Sequence, residues 1–252
     1  MSAASRVIDL TSMKVACRDC SLARLCLPMG LARPDMDRLD AIMNRPRPLR
    51  RGEHLFRAGD TFRSLYAVRS GSLKVYTPCQ DGTEQVLGFH LPGELVGLDA
   101  IEHERHACSA KGLETTTVCT MPYERLQDLV GDIPSLHHHF MKLMSKELAR
   151  DEAMLLLLGK GNAEERLATF LLSLSHRFRD RGFSENEFNL SMSRHDIGNY
   201  LGLAVETVSR MFSRLQDDGV LTVHRKNIQL HDLGRLRAMI HLPEPGTPVH
   251  CG

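Results

Sequence analysis

"SRHDIGNYLGLAVETVSRMFSRLQDDGVL", residues 193–221, reads as two short helices joined by a turn. Ser193 is placed to cap the first helix, with Asp196 three residues on as an acidic form of the capping box. Gly202 stands where that helix ends and a left-handed backbone is needed. The second helix is expected from Val205 to Gln216. Ile197, Leu201, Leu203, Val208 and Met211 are the apolar positions that would pack the pair against a third helix. The free face of the second helix then carries Glu206, Ser209 and Arg210, at i, i+3 and i+4. They sit near the helix start, the end that reaches base edges in helix-turn-helix proteins. An arginine can grip guanine through O6 and N7, and a glutamate can accept from the cytosine amino group. A Glu and an Arg four apart can also simply pair with each other, on an ordinary helical surface. Downstream, "GVLTVHRKNIQLHD" (219–232) reads as a hairpin whose tip, Arg225-Lys226-Asn227, suits phosphate contact. Turn glycine, apolar positions and basic wing together predict a winged helix-turn-helix that binds double-stranded DNA.

The preceding texture differs. "RRGEHLFRAGD" (50–60) and "SLYAVRSGSLKVYTPCQDGTEQVLGFHLPGELVG" (64–97) are short apolar runs broken by Ser70-Gly71, Asp81-Gly82 and Pro92-Gly93. These are hairpin signals, and several short strands at close spacing predict a small antiparallel roll. From about Pro134 a long helix is expected. In "LHHHFMKLMSKELARDEAMLLLLGK" (136–160), Met144, Leu148, Asp151, Leu155 and Leu158 recur at spacings of four, three, four and three, a coiled-coil seam with one acid in it. Gly159 and Gly161 are expected to break this helix, and Asn162 to cap the next. His137, His138 and His139 are consecutive, point in different directions and are assigned to a solvated surface. The tail, 241–252, is rich in Pro and Gly and is expected to be disordered.

Composition bounds the rest. The chain has 252 residues, 42% hydrophobic and 25% charged, with a formal net charge of +1. A nucleic-acid surface must therefore be a local patch. No run of about 18 apolar residues suits a membrane span, and no basic start leads into an apolar secretory core, so a cytoplasmic protein is expected. The 7 cysteines are an odd number in a chain without an export signal, which argues against a disulfide framework. "CRDCSLARLC" (17–26) gathers Cys17, Cys20 and Cys26, a thiolate group suited to metal or redox chemistry. Cys79, Cys108 and Cys251 read as single residues filling small apolar spaces.

"GEHLFRAGD" and "PGELVG", then a long helix, then the winged helix-turn-helix, resemble the CRP/FNR superfamily of bacterial transcription regulators. "NAEERLA", "RHDIGNYLGLAVETVSR" and "FHLPGELVGLDAI" resemble its FNR/Anr group, the fumarate and nitrate reduction regulators. The resemblance runs from about Cys17 to about Leu230. It implies a 4Fe-4S cluster held by the N-terminal trio Cys17, Cys20 and Cys26 and by Cys119 in "LETTTVC", in preference to the nearby Cys108. Thiolates suit such clusters, and a cubane needs four of them; zinc accepts four as well. The resemblance also implies a target palindrome TTGAT-N4-ATCAA, its G·C pairs read by Glu206 and Arg210 with Ser209 near a thymine. The cyclic-AMP branch uses an Arg-Ser/Thr-Ala stretch where this chain has Ala107-Cys108-Ser109, with Arg105 displaced, so no cyclic nucleotide is expected.

The expected fold is α+β: a cysteine-rich segment (1–30), an antiparallel β-roll of the cyclic-nucleotide-binding jelly-roll kind (31–133), a long dimerisation helix (134–160), a C-terminal winged helix-turn-helix (161–240) and the tail (241–252). The expected function is oxygen-sensing regulation: with its cluster the chain dimerises and binds promoter DNA, and oxygen destroys the cluster. RNA polymerase is an expected partner, with Arg69 to Gly71 and Cys79 to Gly82 as candidate contacts. Two rivals are a small-molecule-sensing regulator with an empty cysteine site and an enzyme with a reactive cysteine. Neither a nucleophile–His–acid constellation nor a phosphate loop is legible for the second.

Overall fold

The computed structural model describes residues 16–79 and 81–241. In chain order the helices are α1 (Arg33–Ile42), α2 (Tyr123–Asp132), α3 (Pro134–Lys160), α4 (Ala163–Asp180), α5 (Arg194–Leu201), α6 (Val205–Asp217) and α7 (Leu233–Ala238). The strands are β1 (His54–Phe56), β2 (Ser64–Ser70), β3 (Leu73–Pro78), β4 (Glu84–His90), β5 (Leu95–Val96), β6 (Ser109–Gly112), β7 (Thr117–Pro122), β8 (Glu187–Asn189), β9 (Leu221–His224) and β10 (Asn227–Leu230). Two antiparallel sheets, ordered β1-β6-β3-β4 and β5-β2-β7, make the roll. Phe56, Val68, Leu73, Val75, Val96 and Ala110 alternate inward and fill its interior.

Pro134 sets the start of the long helix. It has no N–H to continue α2 and pushes Ile133 out of the helical region, to φ −116° and ψ 99°. Ile133 thus ends α2 and caps α3, and the chain turns sharply there. The stop differs from expectation at one residue: Gly159 lies inside α3, and Gly161 caps it. Asn162 then caps α4 in a reciprocal box with Glu165, at 3.0 and 2.7 Å.

The DNA-binding unit does not stand apart from the roll. Its core residues Phe170, Ile197, Leu201, Val208 and Phe212 join Val86, Phe89, Leu91 and Leu113 of the roll in one cluster. A second cluster ties the cysteine segment, through Cys17, Leu27 and Leu31, to α1, α2 and the first turns of α3. Helix α1 itself was not legible in the sequence. His139 corrects the reading of the histidine run: His137 and His138 are exposed, but His139 is buried. Its Nε2 lies 3.1 Å from the carbonyl oxygen of Cys26. Cys79 also departs from expectation, since it lies exposed at the β3–β4 turn and fills no space, whereas Cys108 is buried. Cys251, the tail beyond 241 and Gln80, within the stretch expected to contact RNA polymerase, lie outside the described residues.

Candidate metal centre and nucleic-acid interface

Ser193 caps α5 as its sequence predicts: its Oγ accepts from the Asp196 N–H at 3.1 Å, and Asp196 Oδ2 accepts from the Ser193 N–H at 3.0 Å. Gly202 takes φ 64°, so the turn into α6 is made at a residue without a Cβ. Gly198 is needed for a different reason: a Cβ there would lie 2.7 Å from the Leu203 carbonyl oxygen. Helix α6 buries Val208, Phe212 and Leu215 and leaves Glu206, Ser209 and Arg210 exposed. Among the described residues Glu206 and Arg210 do not pair with each other. Arg210 donates only a long bond, 3.4 Å, to Thr207 Oγ1, and Ser209 Oγ donates to the Val205 carbonyl at 2.9 Å. The guanidinium is therefore free to turn toward a base edge. The wing is a three-stranded sheet, β8-β10-β9, with Arg225 and Lys226 exposed at its tip. Arg225 holds φ 58°, a left-handed conformation that costs a non-glycine residue.

The cysteine segment winds through successive tight turns. The Cys20 N–H closes one on the Cys17 carbonyl at 3.2 Å, and the Cys26 N–H closes another on Leu22 at 3.0 Å. Cys119 reaches the same place from β7. It packs in the same apolar cluster as Cys17 and Cys26. Burial, the largest cause, pushes the Cys26 thiol up to about 12 and raises Cys17 and Cys119 as well. Cys108 lies elsewhere, in the roll interior beside Asp99. Among the described residues no three His, Cys, Asp or Glu side chains converge as closely as one coordinated ion requires.

Two residues beside this site carry no local sequence signal. Asp40, in the last turn of α1, accepts the Cys17 N–H at 2.9 Å and pairs with Arg45. Arg45 Nη2 lies 3.8 Å from Cys17 Sγ. The cysteine loop also touches the roll, since a Cβ on Gly93 would lie 3.1 Å from the Leu25 Cβ. The next residue, Glu94, accepts from Arg177 at 2.6 and 2.9 Å and from Arg181 at 2.6 Å, both in or at the end of α4, and lies 3.6 Å from Arg150 of α3. These contacts are long-range, so spacing along the chain could not reveal them.

The stretch aligned with the cyclic-AMP pocket is closed from within. The Ala107 and Cys108 amides donate to Asp99 Oδ2, at 2.9 and 3.4 Å. Arg105 is exposed and donates to the Gly59 carbonyl at 2.9 Å. A carboxylate on those amides opposes a second anion. On α3, Leu148 and Leu155 are 62% and 72% exposed, Asp151 is exposed, and Met144 and Leu158 are half-buried. The predicted seam is thus an apolar stripe that the single chain leaves uncovered.

A roll bearing a long helix and a winged helix-turn-helix with a free recognition face defines a DNA-binding transcription regulator, not an enzyme. Residues 46–132 match the cyclic nucleotide-binding domain family, and residues 165–239 match the Crp-like helix-turn-helix domain family. The chain is 55% identical over 223 residues to the transcriptional activator protein Anr of Pseudomonas protegens, covering 88% of this chain and 91% of that one. It is 49% identical over 240 residues to the fumarate and nitrate reduction regulatory protein of Yersinia pestis, covering 95% and 96%. Among solved structures, FixK2 from Bradyrhizobium japonicum matches with a TM-score of 0.74 and 30% identity, over 80% of this chain and 99% of that one. The chain belongs to the FNR/Anr group of the CRP/FNR superfamily. No helix among the described residues is long and apolar enough to cross a membrane.

Proposed function

We propose that this regulator is a cytoplasmic, oxygen-sensing activator that carries a 4Fe-4S cluster on Cys17, Cys20, Cys26 and Cys119. As a cluster-loaded homodimer it binds promoter palindromes of the TTGAT-N4-ATCAA kind. The observation that carries this reading is that Cys119 of β7 packs in the same apolar cluster as Cys17 and Cys26, while Cys108 belongs to the roll interior. The donor set fits the group: four soft sulfurs, free of disulfides, beside a buried Arg45 Nε with no acceptor among the described residues. A cubane attaches each thiolate to a separate iron, whereas zinc would gather all four on one ion with bonds of about 2.3 Å.

Such a cluster supplies an oxygen-labile centre. The chain's own residues do the rest. The four thiolates tie the 17–26 segment to β7, and His139 ties the same segment to α3. Loss of that tie in oxygen frees both. Met144, Leu148, Asp151, Leu155 and Leu158 form the dimer seam. Glu206, Ser209 and Arg210 read bases, and Arg225 and Lys226 hold phosphates. The loops Arg69 to Gly71 and Cys79 to Gly82 meet RNA polymerase; that the FNR and Anr relatives are named as activators or regulators supports this.

The test is purification under nitrogen with iron, sulfide and zinc analysis, followed by DNA binding before and after air. Roughly four irons and four sulfides per chain, with binding lost in air, are expected. Zinc in place of iron, or binding indifferent to air, overturns the reading.

A further inference from the structure

We propose that Arg45, held by Asp40, is a cation set against the thiolates of the cluster site, and that it sets how readily a cluster there accepts an electron. This rests on the cluster reading above. Arg45 follows α1 by three residues, and its side chain is only 11% exposed. Asp40 fixes both partners at once, because the same Oδ1 accepts the Cys17 N–H at 2.9 Å and the Arg45 guanidinium. Arg45 Nη2 is 3.8 Å from Cys17 Sγ, and the Arg45 charge also reaches Cys119 on β7. The guanidinium thus touches one N-terminal ligand and lowers, through its charge, the thiol of the strand ligand.

A second observation is independent of that placement. Arg45 Nε is buried and has no acceptor among the described residues. Buried donors are nearly always paired, so one left over at a site points to a missing acceptor. The acceptor class the neighbourhood supplies is sulfur, either a ligand thiolate or a cluster sulfide. Hydrogen bonds to the sulfurs and net charge are two of the features that set cluster potentials. Four thiolates make the loaded site anionic, and one-electron reduction adds to that charge. A buried cation favours the reduced form, and a buried carboxylate opposes it. The simpler alternative is that the Asp40–Arg45 pair only pins the loop to α1.

The two accounts separate by sign. Arg45→Gln, Arg45→Lys and Asp40→Asn are made in the full chain, reconstituted with iron and sulfide under nitrogen and titrated spectroelectrochemically. Urea unfolding of the cluster-free forms reports folding. Arg45→Gln should lower the reduced-to-oxidised ratio about tenfold at fixed potential, a shift of about 59 mV for one electron. Asp40→Asn should move it the opposite way, and Arg45→Lys, which keeps the charge but loses the Nε donor, should fall between the parent and Arg45→Gln. A pin would shift the urea midpoints together and leave the potentials alone. Equal potentials, or shifts of the same sign for Arg45→Gln and Asp40→Asn, overturn the assignment. If Arg45→Gln does not fold, an Asp40→Asn potential that fails to rise above that of Arg45→Lys overturns it. A parent chain that takes up no iron and sulfide overturns the cluster reading, and this proposal with it; a loaded parent with unmoved variants overturns the Arg45 role alone.

Discussion

Arg177 grips Glu94 with two nitrogens, Nη2 at 2.6 Å and Nε at 2.9 Å, and so fastens the first helix of the DNA-binding unit to the turn between β4 and β5. Arg181 and Arg150 converge on the same carboxylate. Glu94 is thereby held ionised well below the usual carboxylate range, although burial alone would raise it. It sits one residue after Gly93, which packs against Leu25 of the cysteine loop.

Glu94→Gln should therefore destabilise the chain by about 3 kcal/mol, because three arginines lose their counter-charge in a buried site. Urea unfolding at neutral pH checks it. The sign with pH follows from the depressed carboxyl. The stabilisation is present above the unfolded value near 4.5 and is lost as pH falls through the folded value. The parent should lose stability on acidification below that value, and Glu94→Gln should lose less over the same range. Parallel acid limbs would show that Glu94 is not the titrating group.

Arg210→Ala should cost roughly 1–3 kcal/mol at the G·C pair of each half-site and relax discrimination there. Arg225→Gly separates charge from backbone at the wing. It removes a phosphate contact but relieves a left-handed non-glycine residue of φ 58°. Thermal stability should hold or rise, by about 1 kcal/mol, while DNA affinity falls alike on cognate and scrambled sites. Competition binding at two salt concentrations measures both. An equal loss on cognate and scrambled DNA for Arg210→Ala would refute its assignment to a base.

Serine at Cys17, Cys20, Cys26 or Cys119 should abolish iron retention and anaerobic DNA binding, whereas Cys79→Ser and Cys108→Ser should change neither. Iron per chain after gel filtration under nitrogen decides it. A cluster lost with Cys108→Ser and kept with Cys119→Ser would move the fourth ligand.

Asp151 stands between Leu148 and Leu155 on the uncovered stripe of α3. In a dimer two such carboxylates would face each other, and like charges in a partly apolar seam oppose association. Asp151→Ala should therefore dimerise in air without a cluster. A shift of two or three orders of magnitude in the association constant takes about 3–4 kcal/mol. Analytical ultracentrifugation of the cluster-free variant reads it, and a protein that stays monomeric defeats the mechanism.

The recognition unit was legible because its signals are local. Ser193 and Asp196 are three residues apart, Gly202 marks a backbone conformation, and Ile197 with Leu201, like Val208 with Met211, repeats at helical spacing. Each is a short-range preference that survives without knowledge of the rest of the chain. The strand turns and the stripe on α3 share that character. His139 was misplaced for the opposite reason. Its neighbours His137 and His138 face solvent, and the third is buried, its Nε2 beside the carbonyl oxygen of Cys26, which lies 113 positions away.

Sequence alone determined the order of the parts, the cysteine trio with its spacing, and the exposed face of α6. Resemblance added Cys119, which lies 93 positions beyond Cys26. Only tertiary structure decided that Cys119 of β7 packs in one cluster with Cys17 and Cys26 and that Cys108 is buried inside the roll. It also decided that Asp40 and Arg45 stand beside the thiols, and that Glu94 gathers Arg150, Arg177 and Arg181. The physical reason is common to all three. Caps, turns and periodic faces are encoded by interactions within a few residues, whereas a buried charge is chosen by whatever packs against it from distant parts of the chain.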